Sequence, residues 1–248
     1  MVSLIESFRD FASRAPTALA LAGVSPAIGG EAELLAAILA GRMPDGRRGD
    51  LVRTLARTHF ESDAASLGAA LRDVAATSTK DVSPGGPAAT LLSANGLQAL
   101  VGHRVAHGAW AAGRREEAMA LKVLFTQAFG CEIHPAVRLG AGIWLDHGIG
   151  FVAGSTAVIE DDVSIWHGVT LGSNLKDRGE TRHPRLRRGC TICAGALLIG
   201  DIDIGEGAVV AAGAVVLKSV APGVSVAGVP AREVARRETS FKGFEADA

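Results

Sequence analysis

The chain has 248 residues, 48% of them hydrophobic, with 25 basic against 26 acidic side chains and a formal net charge of -1. That much apolar surface excludes a disordered chain, and the balanced charge gives no general attraction for nucleic acid or an anionic membrane surface. Glycine is abundant at 31 residues while aromatics make up only 4% and tyrosine is absent, so something other than ring packing must fill the core.

Glu6 and Asp10 interrupt the apolar residues at the start, where a signal peptide would need an unbroken run. Cys131, Cys190 and Cys193 make no closed disulfide set, and the expectation is a reducing cytoplasm. Residues 1–130 read as an all-helical domain, a cap or oligomerisation module. Asp50 can cap a run in which Leu51, Leu55 and His59 share one face, and a second run extends from about Ser62 to Val74. Ser78, Asp81, Pro84, Gly85, Gly86 and Pro87 then break the helix and put Asp81 on a loop. Two more helices fit about Ala89 to Ala111 and Arg114 to Gly130. His103 and His107 lie four apart on the first of these, but Arg104 stands where the zinc-protease motif has glutamate, so the pair reads as structural.

From Ile133 the period changes. An aliphatic residue recurs every sixth position, at Ile133, Leu139 and Leu145, with Val137, Ile143 and Ile149 four residues on. A slip of two residues restarts the series at Ala153, Ile159, Ile165 and Leu171. After an interruption it resumes at Leu186, Ile192, Leu198, Ile204, Val210 and Val216. Such a repeat predicts a β-helix, three short strands making one coil of about 18 residues, with coils stacking on their aliphatic positions. The class is thus α+β, with the β-helix over 131–232, a polar loop inserted at 173–185 and a tail at 233–248. The most apolar stretch, Ile192 to Leu217, contains Asp201, Asp203 and Glu206, which argues against a membrane span.

His147 follows Asp146 beside the two-residue slip, where side chains that regular coils would bury become exposed. An imidazole on such a ledge can take a proton from an attacking hydroxyl. Cys190 and Cys193 have a CxxC spacing but occupy different positions of the frame and have no second pair. His134, His147 and His167 raise the alternative of a trimeric zinc carbonic anhydrase, whose ligand spacing they do not reproduce; no metal is expected.

Ile133-His134-Pro135, Gly142-Ile143-Trp144-Leu145-Asp146-His147, His167-Gly168-Val169-Thr170-Leu171-Gly172, Arg182-His183-Pro184 and Ala227-Gly228-Val229-Pro230-Ala231-Arg232, with Gly96-Leu97-Gln98-Ala99-Leu100 before them, together resemble the serine O-acetyltransferase family over roughly residues 80 to 235. The resemblance implies a left-handed β-helix, a trimer or dimer of trimers, and transfer of the acetyl group of acetyl-CoA to the hydroxyl of L-serine, giving O-acetyl-L-serine for cysteine synthesis without a metal. Related chemistry on another amino alcohol or acyl-CoA is the alternative. By the same resemblance His147 is the general base, Asp81 and Asp146 hold the serine amine, Arg182 pairs with its carboxylate, and His183 completes the pocket. Backbone near Gly172 stabilises the oxyanion, acetyl-CoA lies along Ala194 and Ala212, and Lys218 and Arg232 contact its phosphates.

Three departures stand out. Glu132 occupies the place of the family's aspartate partner to the histidine, one methylene longer. Ser173 stands where glycine is common, in a loop one residue longer. The end, Glu245-Ala246-Asp247-Ala248, lacks the isoleucine that anchors the sulfhydrylase, so no stable cysteine synthase complex is expected.

Overall fold

A computed structural model describes residues 3–81, 86–176, 180–236 and 241–243. Its helices are α1 (Leu4–Arg14), α2 (Pro16–Leu21), α3 (Glu31–Gly41), α4 (Gly46–Ser62), α5 (Ala64–Lys80), α6 (Gly86–Ser93), α7 (Asn95–Ala111) and α8 (Arg115–Phe129). None is long and apolar enough to cross a membrane among the described residues.

Several boundaries differ from expectation for local reasons. The cap of α4 is Asp45, whose side chain accepts from the Arg48 amide; Asp50 lies inside the helix. Its successor α5 is capped by Asp63 and runs past Val74 to Lys80, leaving Asp81 as the expected loop residue at its end. Where one helix was expected from Ala89, the chain breaks at Ala94, in an extended conformation, and restarts as α7. Pro84 and Gly85 lie outside the described residues. Helix α7 is buried almost all round, with Arg104 and His103 only 6% and 4% exposed, in keeping with a structural role for His103.

The β-helix has three faces. The first sheet orders β1 (Glu132–Ile133), β4 (Val152–Ala153), β7 (Thr170–Gly172), β10 (Leu197–Ile199) and β13 (Val215–Val216). The second holds β2 (Arg138–Leu139), β5 (Val158–Ile159), β8 (Arg185–Leu186) and β11 (Asp203–Ile204). The third holds β3 (Trp144–Leu145), β6 (Ser164–Ile165), β9 (Thr191–Ile192), β12 (Val209–Val210), β14 (Val224–Ala227) and β15 (Arg232–Arg236). Pairing is parallel except for β15, which turns back on β14 and carries the sheet past Arg232. The sixth-position residues stack as the period requires: Ala153 lies over Leu171, Ile192 over Val210 and Leu198 over Val216. Leu145 pairs with Ile165, the partner that the two-residue slip selects.

Ile149 departs from the register. It is 65% exposed, because the slip spends residues 147–150 on a protruding turn. The helical domain docks through a buried pair against the turn between β2 and β3. Arg104 Nε donates to Asp73 Oδ2 at 2.8 Å and its terminal nitrogen to Gly140 O at 2.6 Å, while Ile143 N–H donates to Asp73 Oδ1 at 2.9 Å. His103 and His107 make the same kind of join, donating to the carbonyls of Val137 and Pro135.

Candidate active site

His147 adopts a left-handed conformation, φ 57°, which a side chain with a Cβ reaches at a cost of about 1 kcal/mol or more. Its surroundings hold it there. Asn95, at the start of α7, donates from Nδ2 to His147 O at 3.0 Å and to Phe129 O at 2.8 Å. The Cys131 thiol donates to Gly148 O, and Gly96 packs so tightly on Leu145 that an added Cβ would overlap its carbonyl oxygen. The helical domain therefore sets the position of the histidine turn.

The His147 side chain is 68% exposed and its Nε2 lies 3.3 Å from Asp146 Oδ2. His167 is one coil above, its ring centroid 5.5 Å from that of His147. Asp81, Asp146 and His147 line one cavity of about 310 Å³ together with Asn95 and Trp144. Burial raises the Asp146 carboxyl above its ordinary range, His147 and His167 pull it back, and the charge of Asp81 raises it further. Two carboxylates facing one small cavity make a receptor for an ammonium group, with an exposed imidazole on its rim. The described end of the chain returns to this place, where Phe241 stacks on Trp144 at 5.2 Å between centroids. The terminal Glu245-Ala246-Asp247-Ala248 segment lies outside the described residues.

The remaining expected residues divide between two edges of the prism. Ala194 and Ala212 follow β9 and β12, on the edge that carries His147 and His167 after β3 and β6. Gly195 N–H donates to His167 O and Gly213 N–H to Ala194 O, so these turns form one column. The other edge lies at the ends of the first sheet. There Gly172 ends β7 and Lys218 follows β13. Arg182 and His183 fold against the turn after β4: both amides donate to Thr156 Oγ1, and the His183 ring covers Gly154, which leaves no room for a Cβ.

His183 is 7% exposed, and burial, then the charge of Arg182, lowers its pKa. Its Nδ1 accepts from Thr156 N–H at 3.3 Å, so the proton sits on Nε2. Glu132 opens β1, opposite Val152. Its carboxylate takes Lys122 Nζ at 2.5 Å, and its charge acts on His134 together with that of Arg182. Arg232 lies on β15, exposed, donating to Ala231 O. His134 sits edge-on to Trp110, so His134, His147 and His167 do not converge within a chain.

His167 was absent from the expected site, although the sequence held its signal. Once the slip sets Leu145 opposite Ile165, His147 must stack on His167. Asn95 and Gly96 carried no comparable signal, since their contacts to the His147 turn exist only after α7 packs on the prism.

No family model matches the chain. A Schizosaccharomyces pombe relative is 49% identical over 143 residues, 58% of this chain and 53% of its own length, so the chain spans about half of that protein. The serine acetyltransferase of Escherichia coli strain K12 is 40% identical over 196 residues, 79% of this chain and 71% of the relative. Among solved structures, a serine acetyltransferase from Brucella abortus strain S19 in complex with coenzyme A superposes with a TM-score of 0.90 at 36% identity, covering 97% of this chain and 98% of that one.

Proposed function

This chain belongs to the serine acetyltransferase family, and from that premise we infer that it transfers the acetyl group of acetyl-CoA to the hydroxyl of L-serine in a cleft shared by two copies of the chain. The observation that carries the reading is the cavity that Asp81, Asp146 and the exposed His147 line together. The serine ammonium sits between the two carboxylates. His147 takes the hydroxyl proton as the oxygen attacks the thioester carbon. The tetrahedral intermediate then collapses, the C–S bond breaks, and the imidazolium returns the proton to the departing thiolate.

Arg182 and His183 act on the site of the neighbouring copy. The Arg182 fork suits the planar serine carboxylate. His183 Nε2–H and backbone N–H groups near Gly172 are the donors for the developing oxyanion. Glu132, at the start of β1, orients the neighbour's His147 in place of an aspartate. The column of Ala194 and Ala212 leaves a small-residue path for pantetheine, as expected of a coenzyme A site, with Lys218 and Arg232 toward its phosphates. In this reading the chain is at least a trimer, with 1–130 as the oligomerisation domain, and works in the cytoplasm, in keeping with three free cysteines.

Thioester consumption measured across amino-alcohol acceptors and acyl-CoA donors tests the substrates, with L-serine and acetyl-CoA expected among the best pairs. His147→Ala should lower kcat by roughly 10² to 10⁴; turnover within a few-fold of the parent sinks the base. Co-expressing His147→Ala and Arg182→Ala chains should restore about one quarter of the sites if each site spans two copies. No recovery would assign both residues to one chain.

A further inference from the structure

The oxygen of Asp146 and the ring nitrogens of His147 and His167 all lie within 4.8 Å of one another. Two imidazoles and a carboxylate on one face are the donor set of open zinc and ferrous sites. A transition ion bound at 2.0–2.2 Å separates neighbouring ligand atoms by about 3.3 Å, and Asp146 Oδ2 and His147 Nε2 are already 3.3 Å apart. His147 and His167 are both exposed, so their rings can turn inward without disturbing the core. Asp146 is part-buried on β3's end and supplies a fixed third ligand. Asp81 across the same cavity adds negative charge, and Lys80, the nearest cation on that helix, is turned away to Ser164 Oγ at 2.9 Å. Two of the three ligands, Asp146 and His147, also line the acceptor cavity.

We propose that Asp146, His147 and His167 form an inhibitory site for a divalent transition ion such as zinc, which occupies the imidazole and carboxylate that serine needs. The ion is not a cofactor of the reaction. Its inhibitory effect rests on the acetyl-transfer reading, whereas its binding does not. Because the ion and the serine ammonium compete for Asp146, inhibition is competitive with serine.

The site is tested on the full chain after chelator treatment. Titration with cobalt(II) should develop visible ligand-field bands that saturate at one ion per chain and disappear on adding zinc. In His167→Ala the apparent affinity should fall at least about tenfold, since even loss of a supporting contact to a metal ligand costs that much; His167→Gln, with melting curves for both, guards against a folding defect. Zinc in metal-buffered solution should raise the apparent KM for serine, read from the thioester absorbance, and half-inhibition of His167→Ala should need at least about tenfold more zinc relative to its own metal-free rate. Equal cobalt affinity in the parent and both His167 variants, or zinc inhibition unaffected by serine, overturns the proposal. If the metal-free protein fails to acetylate serine, the proposed function falls, and the cobalt titration still decides the site.

Discussion

Substitution of Gly96 by alanine is the sharpest test of how the helical domain positions the histidine turn. Gly96 is the second residue of α7, and a Cβ there would overlap the Leu145 carbonyl oxygen and lie 2.9 Å from its carbonyl carbon and 3.0 Å from its Cγ. Backbone must give way by about 1 Å, and Leu145 directly precedes Asp146 and His147. A misplacement of about that size costs roughly 100-fold in rate when it moves the reacting groups. The overpacking itself costs about 1–3 kcal/mol, offset by up to about 1 kcal/mol from replacing glycine in a helix. The net loss of about 0–3 kcal/mol lowers Tm by no more than about 12 °C for a chain of this size. Gly96→Ala should therefore fold, melt slightly early and turn over roughly 100-fold more slowly. Gly68→Ala is the control, because nothing lies within 4 Å of the added carbon on α5; it should keep full activity and gain stability. Thioester consumption and calorimetry read both properties. Gly96→Ala with kcat within about threefold of the parent would show that the carbonyl yields without moving the site, and the positioning argument would fail.

Arg104→Met should destabilise by about 3–5 kcal/mol near neutral pH, measured by denaturant titration, because it leaves the Asp73 carboxylate, 0% exposed, without its counter-ion. Burial already lifts Asp73 to about 6 with Arg104 in place. The native chain thus holds that proton more tightly than the unfolded chain, and the residue's contribution to stability falls as pH rises from 3.8 to about 6. In the variant the deficit should shrink as pH is lowered, since the acid is then neutral in both states; a deficit independent of pH would refute the charge argument. At the cavity, Asp146 has a raised pKa, first from burial, so its charge is lost on acidification earlier than that of an ordinary carboxylate. The KM for serine should rise as pH falls from above the usual carboxylate range, and Asp146→Asn should show a high KM with that acid limb removed.

The six-residue register was legible because each coil buries its own aliphatic position against the next, a local pattern that survives in one dimension. Leu171, Ile192 and Val210 stand where that pattern put them. Helix ends were less legible, since Asp45 and Asp50 are equally good caps as letters, and only the three-dimensional arrangement shows Asp45 accepting from the Arg48 amide. Among candidate site residues, the sequence named Asp81, Asp146 and His147, and the fold gathers them around one cavity. It also named Arg182 and His183, which the fold puts on another edge of the prism because the inserted loop folds back on Thr156, and Glu132, which opens β1 and is captured by Lys122 of α8.

By itself, then, the sequence determined the repeating coil, the slip and the chemistry of the side chains beside it, all of which depend on near neighbours along the chain. Tertiary structure decided how that chemistry is aimed. Asn95 and Gly96, on a helix some fifty residues away from the turn, fix His147 in a left-handed conformation through contacts that arise only when α7 meets the prism. Stacking of coils likewise brings His167 to His147, because closeness in a coiled chain is set by register rather than by separation in sequence.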